Sequence, residues 1–228
     1  MGYQYAYLVG IVTTIAPLWL FLFWWRKDLI REMLLMSVLF GIAGPISELW
    51  YLKDYWRPET ITGWPISFED FLFGFFIGGI ASVAYEVFFR KHFYARKKKF
   101  SPYRTTAATT GVAALSLQYF TDLNSIYVSL ILFLLFAIGM LIFRRDLLVD
   151  GIVSGFLMAS IMFAAYFVFL NLFPEAIDRW WVIENISAVY IWKVPIEELL
   201  WAFGLGLVAG PLYEFLTGKV FKRRVSFT

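Results

Sequence analysis

Cysteine is absent from the 228 residues of this chain, and histidine occurs once, at His92. Without cysteine the protein has no disulfide, no thiolate nucleophile and no cysteine-ligated zinc or iron–sulfur site. A single histidine also excludes the histidine-rich iron sites of membrane desaturases and hydroxylases. The glycine pattern G-x-G-x-x-G does not occur either, so nothing indicates a flavin or nicotinamide fold. The sequence therefore predicts no metal and no bound cofactor.

Charged residues are scarce as well, at 16% of the chain, whereas soluble domains carry about a quarter. Apolar residues make up 61% and recur in runs long enough to cross a bilayer. These runs predict an all-α, polytopic membrane bundle of seven transmembrane helices. The predicted spans are 3–25, 29–52, 67–90, 104–121, 125–143, 147–173 and 195–217.

The basic residues predict how the bundle is oriented. Sixteen of the 20 fall into one set of loops, and the other set holds only Lys53, Arg57, Arg179 and Lys193. Under the positive-inside rule the N-terminus lies outside and the C-terminus in the cytoplasm of a multi-pass cell-membrane protein. We expect the basic loops to attract anionic lipid headgroups and not nucleic acid, because no folded soluble domain accompanies them.

An internal repeat appears when the chain is shifted by 128 positions against itself. Residues 64–91 then align with 192–219 and share nine identities, against about three expected by chance. A weaker match of RKDL at 26–29 with RRDL at 144–147 extends the repeat. We predict two parallel three-helix repeats, at 1–92 and 125–228, joined by a basic loop and linker helix at 93–124.

Each repeat places an acidic pair at the outer end of its third helix, Glu69-Asp70 in the first and Glu197-Glu198 in the second. Acidic residues in a first helical turn are ordinary helix-start chemistry, and this interpretation stays open. Ionisable groups at the edge of a hydrocarbon phase, however, usually face a bundle interior and mark function. Carboxyl groups held close together in an apolar pocket keep a proton more readily and can donate it near neutral pH. We therefore predict the four acids as catalytic candidates.

Further candidates surround the acidic pairs in sequence. Glu48 lies near the outer end of the second helix, within reach of the same mouth. The aromatic residues are expected to face lipid for the most part, and some to line a pocket for a long apolar ligand. The predicted substrate-binding residues are Glu48, Trp64, Phe75, Trp192, Trp201 and Phe203. Glu86 and Glu214 are expected near the cytoplasmic face, paired with basic residues such as Arg90 and Lys219.

The acidic motifs resemble those of a known family. W-x4-E-[DE] leading into FLFGF, and W-x2-P-I-E-E leading into LLWAF, are similar to the paired P-x-E-E motifs of the membrane-embedded lycopene cyclases. The resemblance is to the fused two-repeat type, which is unrelated to the flavin-dependent cyclases. Pro195 stands two residues before Glu197 as in that family, whereas Pro65 stands four before Glu69.

The resemblance implies a redox-neutral cyclisation of the ends of lycopene or a similar linear isoprenoid. A carboxylic acid protonates the terminal alkene, a neighbouring double bond attacks the carbocation, and a carboxylate removes a ring proton. Glu197 and Glu198 are the first candidates for acid and base, followed by Glu69 and Asp70. Which of them donates the proton stays open.

Two other functions stay open at this point. One is a transporter built of two three-helix repeats joined by one linker helix, which shares the predicted architecture. In such a protein an acidic pair could couple transport to proton movement. A non-catalytic membrane protein that binds a carotenoid or lipid is the second. A retinal-binding pump is excluded, because residues 197–217 contain no lysine. The partners expected are the long isoprenoid and membrane lipids, and an oligomer remains possible.

Overall fold

The computed structural model describes residues 2–89, 93–94, 103–218 and 220–221, and the protein is all-α within them. Within these described ranges, six helices are long and apolar enough to cross a membrane. They are α1 (Tyr3–Trp25), α2 (Lys27–Asp54), α3 (Phe68–Phe89), α5 (Ser125–Phe143), α6 (Arg145–Leu172) and α8 (Ile196–Thr217). The predicted all-α, multi-pass membrane bundle is thereby confirmed.

The fourth predicted span forms helix α4, Tyr103–Phe120, but it is not among these six. Its threonine- and alanine-rich sequence explains the difference, since such residues make a helix without making it strongly apolar. The count of seven spans therefore stays a prediction.

Short elements connect the long helices. Helix α7, Ala176–Trp180, and a 3₁₀ turn at Ile183–Asn185 follow α6. The described residues also form two short antiparallel sheets of two strands each. Strand β1 (Phe93–Tyr94) pairs with β4 (Val220–Phe221), and β2 (Tyr190–Ile191) pairs with β3 (Val194–Pro195).

Helix α1 is interrupted by one π-helical turn at Ile11–Ile15. Pro17 follows directly; it has no N–H to donate and its ring crowds the carbonyl four residues earlier. The hydroxyls of Thr13 and Thr14 donate to the carbonyls of Val9 and Gly10, at 2.7 and 2.6 Å. Such turns often occur at functional sites, and this one contributes to the cavity wall described below.

The helices pack in two pairs that meet along one seam. α2 lies against α3, α6 lies against α8, and α3 contacts α8. Glycine allows the first pair to approach closely, because a Cβ on Gly44 would lie 2.3 Å from the backbone oxygen of Asp70. In the second pair a Cβ on Gly206 would lie 2.4 Å from the backbone oxygen of Ser154. One hydrophobic core joins both halves of the chain.

Two arginines make corresponding contacts in the two halves. Arg26 bonds Asp28 and donates to the backbone oxygen of Glu86 at 2.9 Å. Arg144 bonds Asp146 and donates to the backbone oxygen of Glu214 at 3.0 Å. Such correspondence is what a repeat predicts. Three expectations nevertheless stay predictions: the repeat, the three-part division of the chain and the N-out orientation. The orientation depends on basic residues, and many of these, in the loop after α3 and in the C-terminal tail, lie outside the described residues.

Candidate active site

A cavity of about 360 Å³ lies between the two halves of the bundle. Residues of α1, α2, α3, α5, α6 and α8 form its wall, and most are apolar or aromatic. Three carboxyl groups interrupt this lining, those of Glu48, Asp70 and Glu198. Few polar groups in an apolar concave site are typical of a binding pocket for an apolar ligand.

Four aromatic residues close the outer end of this cavity, and we refer to Tyr55, Trp56, Trp180 and Trp181 as the roof. Trp56 and Trp181 form an antiparallel bridge, with their ring centroids 5.4 Å apart. The backbone of Arg57 donates to Trp180 at 2.6 Å, and that of Val182 donates to Tyr55 at 2.8 Å. The roof therefore joins the loop after α2 to the segment after α6 over the outer end of the cavity.

Glu198 is the most strongly hydrogen-bonded acid in the cavity. The indole N–H of Trp181 donates to its Oε1 at 2.8 Å, and the hydroxyl of Tyr55 donates to the same oxygen. The hydroxyl of Tyr166 donates to its Oε2 at 2.5 Å. Burial and the nearby Glu198 raise the pKa of Tyr55 well above its ordinary value, so that Tyr55 keeps its proton and remains a donor. Three donors thus converge on one buried acid.

Asp70 and Glu48 form the acidic group of the first half. Asp70 Oδ2 accepts hydrogen bonds from the backbone N–H of Ser67 at 2.7 Å and from its hydroxyl at 3.1 Å. Asp70 Oδ1 is buried, and the Tyr7 hydroxyl lies close enough to interact with this carboxyl group. Glu48 accepts from the indole of Trp56 at 3.0 Å and lies close enough to Asp70 to interact with it electrostatically. Like charges at close range in an apolar site favour a proton held by the pair.

The first acid of each pair faces a loop and does not line the cavity. Glu69 Oε1 accepts the backbone N–H of Ile61 at 2.8 Å. Glu197 Oε1 accepts the backbone N–H of Ser187 at 2.7 Å and the hydroxyl of Tyr127 at 3.0 Å. Neighbouring residues on a helix point about 100° apart, which explains why only the second acid reaches the cavity. In each half, one acid thus fastens the preceding loop while the next faces the shared cavity.

The predicted aromatic residues are divided between the cavity and the periphery. Trp201 lines the cavity and stacks on Phe73 with ring centroids 6.1 Å apart. The other four lie outside the cavity lining: Phe75 packs on Trp19, Phe203 packs on Phe156, Trp192 packs on Phe167, and Trp64 is 72% exposed.

Several cavity residues were not predicted from the sequence, among them Tyr7, Tyr55, Tyr166, Trp180 and Trp181. Tyr166 could have been found from the sequence, because the shift that aligns RKDL at 26–29 with RRDL at 144–147 also aligns Glu48 with Tyr166. Trp180 and Trp181 could also have been noticed, because two adjacent tryptophans follow shortly after the predicted span 147–173. Tyr7 lies in a continuous apolar run, where nothing distinguishes it from a lipid-facing tyrosine.

A second acidic group lies away from the cavity. Carboxylate oxygens of Glu86, Asp150 and Glu214 lie within 4.8 Å of one another, and all three residues are buried. Oxygen ligands of this kind suit hard cations, but the adjoining basic segments fall largely outside the described residues. The predicted partners Arg90 and Lys219 also lie outside the described residues.

Comparison with known proteins gives one match. Residues 124–216 match the protein-family model described as lycopene cyclase. The matched region includes Tyr166, Glu197, Glu198 and Trp201 and ends shortly before the end of α8. No curated protein and no solved structure matched the chain.

Proposed function

We propose that this membrane protein, whose residues 124–216 match the lycopene cyclase family model, closes the ends of lycopene, or of a similar linear isoprenoid, by acid–base chemistry. One observation supports this most strongly. The aromatic cavity receives carboxyl groups from both halves of the chain, Glu48 and Asp70 from one and Glu198 from the other. A hydrocarbon substrate needs an apolar site with few polar groups, and these are the groups that proton transfer requires.

The Glu48–Asp70 pair is the proposed proton donor. One carboxyl of the pair transfers its proton to the terminal carbon–carbon double bond. A new C–H bond forms at the less substituted carbon, and the other carbon becomes a tertiary cation. Two neighbouring carboxyl groups in an apolar wall favour a proton held between them. The donor therefore carries its proton before substrate arrives.

Aromatic ring faces in the cavity wall then stabilise the cation. A double bond further along the chain attacks the cationic carbon, which forms the ring bond and moves the charge to the far carbon of that double bond. Trp201 is fixed for this role, because its indole donates to the Tyr51 hydroxyl at 2.9 Å and that hydroxyl donates to Ser129 at 2.8 Å. A desolvated cation over such a ring gains about 2 kcal/mol. The roof keeps out the outer water that would otherwise trap the cation as an alcohol.

Glu198 is the proposed base. Its three hydrogen-bond donors orient the carboxyl group in the cavity wall, and as a carboxylate it would accept the proton that leaves the carbon next to the cation. That loss restores a double bond within the ring. Substrate and product then have the same composition, and no electrons are gained or lost, as befits an isomerase (an intramolecular lyase).

The direct test is expression in a host that accumulates lycopene, followed by chromatography of the pigments. Ring-closed product is expected, and cells grown in D₂O should place one solvent-derived deuterium in each ring, because the donated proton remains on carbon. Unchanged lycopene beside correctly folded protein would contradict the proposal. Lycopene that copurifies without being converted would instead favour the non-catalytic binding function.

A contrast between glutamine and alanine tests the loop-fastening role of Glu69 and Glu197. Glutamine keeps the oxygen that accepts the loop N–H, so Glu69→Gln and Glu197→Gln should keep most of the ring closure. Alanine removes the acceptor and leaves a partly buried N–H unpaired, which we expect to cost about 1 kcal/mol of unfolding free energy. Thermal unfolding in detergent, followed by tryptophan fluorescence, measures the difference. Glutamine variants that are stable yet inactive would show that these glutamates transfer protons themselves.

A further inference from the structure

We propose that the substrate enters the cavity sideways from the bilayer, one end at a time, through an opening between α2 and α5. Five residues of α2, α4 and α5 line the cavity on this side, Ala43, Ser47, Ala114, Ser129 and Leu132, and we call them the lateral portal. The proposal rests on the proposed function, since it identifies the substrate as a long linear hydrocarbon that is dissolved in the membrane.

Access from the outer aqueous side is blocked by the roof. Its two backbone hydrogen bonds tie the loop after α2 to the segment after α6. The indoles of Trp56 and Trp181 are further anchored on Glu48 and Glu198. A substrate that passed through the roof would have to break contacts made by two of the three cavity acids.

The seam between α1 and α6 is also closed. A Cβ added to Gly10 would lie 2.9 Å from the ring of Phe169, which shows how closely the two helices approach. Towards the outer end, Tyr3 packs on Phe173 with ring centroids 5.8 Å apart. The Tyr3 hydroxyl also accepts the backbone N–H of Glu175 at 3.2 Å. Tight aromatic packing thus fills this side along the level of the cavity.

The seam between α2 and α5 differs, although the predicted repeat makes it the counterpart of the α1–α6 seam. Hydrogen bonds fasten its outer end, where Asp54 accepts from the backbone N–H of Ser125 at 3.1 Å. Further in, small side chains line the cavity, and Ala43 is both a lining residue and exposed on the outer surface of the bundle. Ala43 lies 11 residues from Asp54, which is about 16 Å along the helix and therefore at membrane depth.

Helix α4 forms the rim of this opening. It packs on α5, where a Cβ on Gly139 would lie 2.8 Å from Thr106. Its Ala114 lines the cavity opposite the small residues of α2. The linker helix thus limits the width of the passage.

The volume of the cavity explains why one end enters at a time. A cavity of about 360 Å³ is too small to hold a whole long linear polyene, so the rest of the chain must extend through the portal into lipid. After the first ring closes, the substrate must leave and return with its other end. A product closed at one end is therefore an obligatory, released intermediate on the way to any product closed at both ends.

The test narrows the portal without touching an acid. Ala43→Trp and Ala114→Trp fill the passage, and Ile46→Trp and Val112→Trp are matched controls, because both positions are exposed and lie outside the cavity lining. Ring closure in lycopene-accumulating cells should fall about tenfold or more in the portal variants, because the indole leaves too little width for the hydrocarbon chain to pass. The controls should match the wild type, and thermal unfolding in detergent should be equal in all four variants.

A milder substitution separates access from folding. Ala43→Leu should increase the share of product closed at one end, because the released intermediate must pass the narrowed portal again, whereas a general loss of stability lowers all products alike. Portal variants with full activity and an unchanged product ratio would overturn the portal. Wild-type protein that closes no ring at all would instead overturn the proposed function.

Discussion

Ring closure is expected to fall by about two to four orders of magnitude when Glu198 is replaced by glutamine, the range that removal of a general acid or base usually causes. Glutamine has the same shape but cannot accept the proton that leaves the ring. The fold should be preserved, because the amide oxygen can still accept from Tyr55 and Trp181, while the amide nitrogen donates to the Tyr166 hydroxyl. The pigments of cells that express the variant give the measurement, normalised to the amount of folded protein.

The neighbouring Glu197→Gln variant is the matched control for this experiment. It changes the same chemical group one residue earlier, on a side chain that does not line the cavity. Tyr166→Phe is the second control, since it removes one of the three donors on Glu198 and should lower the rate by a smaller factor. Equal losses at positions 197 and 198 would argue against a specific role for Glu198.

The second large effect is expected from Asp70→Asn, again about two to four orders of magnitude, because the proposed donor then lacks an acidic proton. Asparagine can still accept the hydrogen bonds from Ser67, so the start of α3 should be retained. Uptake of deuterium from D₂O into the ring should fall in proportion to ring closure, since both depend on the same transfer.

A double replacement decides whether Asp70 and Glu48 act as one unit. Groups that share a proton give strongly non-additive effects when both are removed. The variant carrying Asp70→Asn and Glu48→Gln should therefore lose little more activity than the worse of the two single variants. Independent, multiplying losses would indicate that Glu48 serves only to bind substrate.

The positions of the acids along the helices were predictable, but their directions were not. Predicted spans at 67–90 and 195–217 compare with Phe68–Phe89 and Ile196–Thr217 in the structure. A run that is apolar around its whole circumference carries no stripe to show which face is inside. The sequence could therefore place Glu197 and Glu198 in one turn without showing which of them reaches the cavity.

The roof was missed for a different reason. Tyr55, Trp56, Trp180 and Trp181 belong to connections whose shape depends on hydrogen bonds between distant segments, and no periodicity records those bonds. The tryptophans that were predicted from their spacing, Trp64 and Trp192, occupy loops that turn outward. Trp192 has a φ of 58°, in the left-handed region that a helix or strand pattern does not foresee.

Tyr7 and Tyr166 lie beside the acids and suggest how the acids regain their starting protonation states after each ring closure. Under the proposed chemistry, each ring leaves the Glu48–Asp70 pair one proton short and Glu198 with one proton too many. Tyr7 lies near Asp70, Glu48 and Tyr166, and Tyr166 is bonded to Glu198. A hydroxyl can accept one proton while releasing another, so Tyr166 and Tyr7 offer a path by which the proton returns along the cavity wall. Turnover would then move no net proton across the membrane, so a pH gradient would neither drive nor oppose it, while exchange of these hydroxyl protons with water between turnovers supplies the deuterium of the D₂O test.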